Sequence, residues 1–329
     1  MKRKTHFYLF AILFLVSISG LAQLEQRANI FDSVQNIEQL NKALITINPK
    51  LRPYSRVPIK DVVLPYDKKS HFYSKISDSL GILQPYSFAD IDQNGCTDVL
   101  LAQESEDVGP FIILMFPQNK YQIFDLNLNN ICSLSYSKVL RIKDKPTIIQ
   151  LQILRSGSDI SVYNRKFFPG FESIELVYKF DNFIEYNPNP TNENIKQIDF
   201  IEPRGKAGQQ EGISILANGD LKLCKTGMFP DATGSKSIFK TNHYRGKMAI
   251  QDKQFLSELV NYLNVNKLGS NYTIPGLRDG GESTLHIITD SIDKTIKDYG
   301  MAGSFGLKIL YHKSDLIIQN TDWQLDPKQ

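Results

Sequence analysis

The chain has 329 residues, and 41% of them are hydrophobic, which is enough for well-packed cores and at this length for two domains. It carries 38 Lys and Arg residues against 35 Asp and Glu residues, a formal net charge of +3. This small excess argues against a broad nucleic-acid-binding surface, which needs clustered basic residues. Three cysteines, Cys96, Cys132 and Cys224, are too few for a disulfide scaffold, although an oxidising compartment would permit one bridge between two of them.

The first 22 residues have the order of a cleavable signal peptide. Basic residues from Lys2 to Lys4 precede an apolar run from Phe7 to Val16, and small residues stand at Gly20 and Ala22. Signal peptidase accepts small side chains at such positions, which predicts cleavage after Ala22 and a periplasmic or extracellular protein. The apolar run has about half of the roughly 20 residues that a spanning helix needs, so we expect no membrane span. Cleavage would remove three basic residues and leave 35 of each charge.

The first part of the mature chain reads as one helix followed by strands. Hydrophobic residues recur at helical spacing within 23–53, and Asp32-Ser33 is suited to cap that helix. From 57 to 186 the pattern changes to strands separated by turns, including a hairpin predicted over 111–124. These features predict a strand-rich domain over residues 23–187.

A second domain is predicted after a polar segment rich in Pro and Asn. Residues 188–194 have the composition of a linker. Beyond them the order of strands, helix, strands and helix predicts a small α+β domain over 195–329. Its predicted elements are a hairpin over 213–223, a helix over 251–264, strands over 284–288 and 294–299, and a last helix opening at 300–303.

The segment from Phe88 to Leu100 carries the clearest chemistry. Carboxylate and amide side chains alternate along it, and Gly95 permits a tight turn with positive φ. Ca²⁺ requires six to eight oxygen ligands, and a short loop supplies them from alternate residues because these point inward. We therefore predict one structural calcium ion. Its predicted ligands are the side chains of Asp90, Asp92, Asn94 and Asp98 and the backbone carbonyl of Cys96.

The end of this loop distinguishes it from a helix–loop–helix calcium site. Such a site needs a bidentate Glu at its twelfth position, where this chain has Leu101. Here Asp98 closes the loop at the ninth position and a strand follows. The pattern Asp-x-Asp-x-Asn-Gly-x-x-Asp resembles the calcium loop of FG-GAP and VCBS-type repeats, the blades of integrin-like propellers. The resemblance covers about Phe88 to Gln103 and implies the same ligands.

Two alternatives to a calcium-binding propeller remain open at this point. The sequence contains no second intact loop, since 125–130 lacks the glycine, so we expect the loop without a complete propeller. The segment from Asp90 to Asp98 is also compatible with an Asx-rich turn that binds no metal.

The second domain contains a series of segments with a familiar arrangement, namely Ile195–Phe200, Ile213–Ile215, Asn218–Asp220, Tyr244–Lys247 and Lys297–Gly300. Together these segments, within residues 195–323, resemble an uncharacterised domain of exported bacterial proteins. That family often has Cys-x-Gly-x-Cys-Pro before the first hairpin, and the corresponding residues 203–208 contain no cysteine. The resemblance therefore implies no thiol or metal role tied to that motif, and it implies no known activity.

Motifs of common enzyme classes are absent from the sequence. It contains no Gly-x-Ser-x-Gly, His-Glu-x-x-His, phosphate-binding loop or Cys-x-x-Cys. His286 lies in an apolar strand and is predicted to be a hydrogen-bonded structural histidine. Asp231, Asp279 and Glu282 are interpreted as residues of solvated loops rather than as a second acidic site.

Two classes of function remain. The first is a non-enzymatic exported binding or interaction protein with one structural calcium ion and a protein or glycan partner. The second is a secreted or periplasmic hydrolase whose carboxylates come from scattered loops, because paired carboxylates need only to be close in space. The missing nucleophile and catalytic-metal motifs favour the first class. A pocket with two facing carboxylates would favour the second.

Overall fold

Two compact units make up the chain. Unit 1 comprises residues 1–125 and 136–149, and unit 2 comprises residues 126–135 and 150–329. The predicted signal peptide, Cys132, Asp231 and Asp279 lie outside the described residues. The structure, a computed structural model, describes residues 28–51, 81, 86–101, 110–126, 133–155, 171–203, 209–230, 237–273, 281–300 and 303–326.

Helix α1, Ile37–Ile47, is the first helix in the described part of unit 1. Asn36 caps it, since its side chain accepts a hydrogen bond from the backbone N–H of Gln39 at 3.0 Å. The predicted cap at Asp32-Ser33 is therefore wrong. Both Asp and Asn cap helices well, but Asp32 belongs to a preceding turn, where its carboxylate accepts hydrogen bonds from Asn29 N and Thr97 Oγ1.

A four-stranded antiparallel sheet follows α1 in the order β1-β2-β3-β4. The predicted hairpin over 111–124 is confirmed as β3 and β4, joined by a 3-10 turn at Pro117–Asn119. Buried side chains of α1 and of the sheet form one hydrophobic cluster, which includes Leu40, Leu44, Val99 and Ile113. The strands are β1, Tyr86–Ala89, β2, Asp98–Leu101, β3, Phe111–Phe116, and β4, Lys120–Asp125.

A second four-stranded sheet has the order β5-β6-β7-β8. The β7–β8 turn contains Phe180 and Asp181 at φ +59° and +55°, the signs of a type I′ hairpin turn. Phe180 is therefore a turn residue, and its ring packs edge-on against Phe255 and Tyr262. The strands are β5, Ser133–Leu140, β6, Ile148–Arg155, β7, Phe171–Lys179, and β8, Asn182–Glu185.

The largest sheet lies in unit 2 and has eight strands in the order β13-β15-β14-β9-β10-β11-β12-β16. All neighbouring strands are antiparallel except β13 and β15. The strands are β9, Ile195–Pro203, β10, Gln210–Leu216, β11, Asp220–Pro230, β12, Ser237–Lys247, β13, Asn271–Thr273, β14, Glu282–Thr289, β15, Asp293–Tyr299, and β16, Gln324–Leu325.

Two helices, α2 (Ile250–Leu263) and α3 (Phe305–Asn320), cover one face of this sheet. Alternate strand residues such as Ile198, Phe200 and Ile213 are buried on that face. The Phe200 ring stacks on Tyr311 of α3 at 4.9 Å between centroids. Within the described residues, the three α-helices and the mainly antiparallel sheets confirm the predicted α+β class.

The segment predicted to be a linker is hydrogen-bonded to α2. The Asn187 side chain donates to the carbonyl of Tyr262 at 2.5 Å, and the backbone N–H groups of Thr191 and Glu193 donate to Asn261. Residues 188–194 thus lie within unit 2. Asn and Thr side chains that suggest a linker by composition here satisfy backbone groups of α2. The division into a domain over 23–187, a linker over 188–194 and a domain over 195–329 stays a prediction.

Glu185, at the end of β8, should contribute to stability through the start of α3. Its partly buried carboxylate accepts hydrogen bonds from Phe305 N at 2.6 Å and Gly306 N at 3.0 Å, and burial raises its pKa. Glu185→Ala would leave these helix N-terminal groups without that acceptor, so we expect the free energy of unfolding to fall by about 2 kcal/mol in urea titrations. The control Glu175→Ala, at an exposed position on β7, should cost less than about 0.5 kcal/mol. Equal losses in both variants would contradict this role.

Candidate metal centre

The predicted calcium loop connects β1 to β2. Ala89 pairs with Asp98 across these antiparallel strands, so the two ends of the loop lie side by side. Gly95 has φ +86°, which confirms the turn predicted for it. Gln93 also has a positive φ, +62°, which a residue with a side chain adopts less readily. The backbone therefore folds back twice within the loop.

This folding brings three carboxylates together. Asp90, Asp92 and Asp98 each place an oxygen within 4.8 Å of the others, a grouping that could hold a metal ion. Asp90 Oδ2 accepts a hydrogen bond from Gly95 N at 3.0 Å. Asp90 Oδ1 is fully buried and accepts no hydrogen bond from any described residue. A buried carboxylate oxygen without a partner is costly, and a cation is the partner that a cluster of carboxylates would accept.

Asp98 is the most deeply buried of the three. Its two oxygens accept hydrogen bonds from Ile91 N and Met115 N, both at 2.7 Å. Burial nevertheless raises the pKa of Asp98 to about 7, and the charges of Asp92 and Asp90 act in the same direction. In the absence of a cation, ionisation of this side chain at neutral pH therefore costs free energy.

Asp92 is half-buried and experiences the same conflict to a smaller degree. Burial is the largest cause of its raised pKa, and the charge of Asp90 adds to the effect. Two hydrogen bonds from Asn94 act in the opposite direction, from the backbone N–H to Oδ1 at 3.2 Å and from Nδ2 to Oδ2 at 2.8 Å. Asn94 thus stabilises the charge of Asp92 without removing the repulsion between the carboxylates.

The other two predicted ligands are not part of the carboxylate group. Asn94 donates from Nδ2 to the Met115 carbonyl at 2.7 Å and accepts from Cys96 N at 2.7 Å through Oδ1. Ligation by Asn94 and by the Cys96 carbonyl stays a prediction. The Cys96 side chain is buried in the hydrophobic cluster of unit 1. No disulfide joins Cys96 to Cys224.

Sequence analysis missed the residues that hold the loop from outside. Thr147 Oγ1 donates to the Asp90 carbonyl at 3.0 Å, and Asn29 Nδ2 donates to the Thr97 carbonyl at 2.8 Å. Arg141 donates to the Phe88 carbonyl at 2.6 Å. Each partner is more than 50 residues away along the chain, so no local pattern could have identified them.

The donor set suits a hard cation. The three grouped side chains offer only carboxylate oxygens, which Ca²⁺ and Mg²⁺ prefer, whereas Zn²⁺ favours nitrogen and sulfur. The buried oxygen of Asp90 and the raised pKa of Asp98 both correspond to charge that the surrounding protein leaves uncompensated. The residues present therefore fit a divalent metal ion.

Outside the loop, His286 is a hydrogen-bonded histidine as predicted. Its Nε2 lies 2.7 Å from Asp293 Oδ1 and its Nδ1 lies 3.4 Å from Asp199 Oδ2. Hydrogen bonding to Asp293 is the main cause of a raised His286 pKa. Glu282, the one described member of the second acidic group, pairs with Lys297 at 3.4 Å.

Comparison of this chain with protein-family models, with curated proteins and with solved structures finds no match. Within the described part of the chain, no helix has the length and hydrophobicity that crossing a membrane requires. The interpretation of the loop therefore depends on its own geometry.

The raised pKa of Asp98 predicts how stability depends on pH without metal. Between the ordinary pKa of 3.8 and the folded value of about 7, the folded protein holds a proton that the unfolded chain has released. Metal-free protein should therefore lose stability as the pH rises through this range, on the order of 2 kcal/mol between pH 5 and pH 8. Urea titrations of wild type and Asp98→Asn in metal-free buffer isolate this contribution, because other titrating groups cancel in the comparison. The variant should show the smaller loss, and an equal loss in both proteins would refute the assignment.

Proposed function

We propose that this protein is an exported binding or interaction protein whose unit 1 is stabilised by one calcium ion. The observation that carries the calcium role is the fully buried Asp90 Oδ1, which accepts no hydrogen bond from any described residue and belongs to a group of three carboxylates. Like charges at this separation disfavour each other, and a bound cation would remove that cost.

Calcium is favoured over the other hard cation, magnesium. Ca²⁺ accepts an irregular set of six to eight oxygens at about 2.3–2.6 Å, whereas Mg²⁺ demands near-ideal octahedral geometry. The carboxylates come from one short loop and all three of them already accept backbone hydrogen bonds, which restricts their movement. The resemblance of the loop to FG-GAP and VCBS-type calcium loops supports the same choice.

We infer a structural role for the ion. Extracellular modules bind calcium with Kd of about 10⁻⁴ to 10⁻³ M, which matches extracellular supply. At roughly 1 mM calcium and a Kd near 10⁻⁴ M, binding would add about 1.4 kcal/mol to stability. The loop enters β2 directly at Asp98, so an ion there would fix the β1–β2 connection against the hydrophobic cluster of unit 1.

The arrangement of acids in unit 2 favours binding over hydrolysis. Asp199 and Asp326 both border the cavity on the open face of the eight-stranded sheet. Asp199 is 3.4 Å from His286, and Asp326 is 2.5 Å from Arg245. Both carboxylates thus already have partners among neighbouring side chains, whereas glycoside hydrolysis needs two carboxyl groups presented to one bond.

Calcium should raise the melting temperature of the mature protein by a few degrees, measured by calorimetry with 1 mM calcium and with chelator. Asp92→Asn removes one of the three converging charges, so it should weaken calcium binding at least about tenfold and lose most of this increase. Asp144→Asn makes the same change at an exposed turn in unit 1 where φ is already +63°, and it should keep the wild-type response. Identical melting with and without calcium, and no heat of calcium binding, would show that the loop is an Asx-rich turn that binds no metal.

Export is proposed from the charged, apolar and small-residue order of residues 1–22. Expression of the full chain in a bacterium with a general secretion pathway should yield periplasmic or secreted protein whose N-terminal sequence begins at Gln23. A double substitution at the cleavage site, Gly20→Arg with Ala22→Arg, should block processing because signal peptidase requires small side chains there. Mature protein that retains Met1 would contradict export by cleavage.

A further inference from the structure

The face of the eight-stranded sheet opposite α2 and α3 carries a cavity of about 410 Å³. Strands β9, β10, β11, β12 and β14 contribute to its walls, and all of them belong to unit 2. Its volume lies within the usual range for small-molecule sites, about 300 to 1,000 Å³. The cavity is bordered by Asp199, Gly212, Ser214, Lys222, His243 and His286.

Gly212 forms part of the floor of this cavity, and the fold does not explain why glycine is there. It lies within β10, where glycine weakens a strand, and its φ is outside the left-handed region. A Cβ added at Gly212 would meet Ile201 Cγ1 at 3.4 Å and the Phe200 carbonyl at 3.8 Å, which are ordinary contacts. A side chain would therefore fit the structure, but it would fill the floor. Glycine within a strand often marks a close approach by a ligand.

The walls next to Gly212 present hydrogen-bond donors that the described structure does not use. Ser214 lies opposite Lys222 on β11, while Cys224, the partner of Gly212 in the register, lies opposite His243 on β12. The side chains of Ser214, Lys222 and His243 make no hydrogen bond or ion pair with any described residue. Asp220, the acid nearest to Lys222 along its strand, is already bound to Lys247 and Asn218.

The acids at the cavity have hydrogen-bond or ion-pair partners among neighbouring side chains. Asp199 accepts two hydrogen bonds from Gln197 Nε2 at 2.9 and 2.8 Å and lies 3.4 Å from His286, and Asp326 is paired with Arg245. Lys222, the lysine that lines the cavity, forms no ion pair with a described residue. A carboxylate or phosphate oxygen at this point would form a charge-assisted hydrogen bond with Lys222 and accept a second from Ser214.

We propose that this cavity binds a small anionic solute. Its carboxylate or phosphate group lies between Lys222 and Ser214, and the rest of the molecule occupies the space above Gly212. This assignment rests on the proposed binding role and names the class of ligand for it. A carboxylate and a phosphate ester are recognised by the same chemistry, and direct titration with each kind of anion distinguishes them.

The test uses the full mature protein labelled with ¹⁵N and titrated in phosphate-free buffer with inorganic phosphate, with malonate and with uncharged glycerol. Saturable shifts of the Gly212, Ser214 and Cys224 amide signals are expected with at least one of the two anions and not with glycerol. Saturation by phosphate alone identifies a phosphate site, and saturation by malonate alone identifies a carboxylate site. No saturable shift with either anion overturns the proposal.

Two variants locate the anion. Lys222→Gln removes the exposed cation and should weaken binding about tenfold or more, while Gly212→Val fills the floor and should abolish binding with the rest of the spectrum unchanged. Lys225→Gln is the matched control on the same strand, because Lys225 lies on the other face and pairs with Glu211 at 2.6 Å. Equal affinity in wild type and Lys222→Gln overturns the site. If the protein binds neither anion but shows the expected calcium response, the result contradicts the proposal for this cavity alone. If it binds an anion but does not respond to calcium, the result contradicts the calcium role.

Discussion

The burial of Asp98 is the constraint on which unit 1 depends. Its carboxylate joins three parts of the chain, because it begins β2 and accepts hydrogen bonds from Ile91 in the loop and Met115 in β3. The same burial makes its negative charge expensive, and Asp90 and Asp92 add repulsion. The arrangement therefore combines a strong geometric anchor with an uncompensated charge, and a bound cation would compensate that charge.

In unit 2 the acids Glu185 and Asp298 take their hydrogen-bond donors from helix α3 and the residues just before it. Glu185 accepts two backbone N–H groups at the start of α3, where the helix dipole also favours negative charge. Asp298 accepts hydrogen bonds from Gly303 N and from the Tyr311 hydroxyl. Donors at the start of α3 and on the helix thus form hydrogen bonds with these acids, although burial still raises the pKa of Glu185, while the open face of the sheet keeps the unused donors of the cavity. Dependence on an ion is accordingly expected in unit 1, and ligand recognition in unit 2.

Local sequence patterns predicted the features of the structure that depend on local geometry. The hairpin over 111–124 follows from alternating residues around a turn, and the three carboxylates converge because Gly95 folds nine residues back on themselves. Contacts over long sequence distances were beyond such reasoning, as Thr147 shows by donating to the Asp90 carbonyl. The choice between Asp32 and Asn36 as the cap of α1 also depends on a tertiary contact, since Thr97 binds Asp32. The cavity around Gly212 required the strand order, which no single segment reveals.

The central claim is that a calcium ion lies among Asp90, Asp92 and Asp98, and its position is the most direct test. A crystal structure grown with calcium, with anomalous difference density collected at long wavelength, would locate the ion. The account predicts a peak about 2.3–2.6 Å from at least one oxygen of each carboxylate, including the buried Oδ1 of Asp90. A well-ordered loop with no peak at millimolar calcium, or with a lysine or water hydrogen-bonded to Asp90 Oδ1 instead, would contradict it.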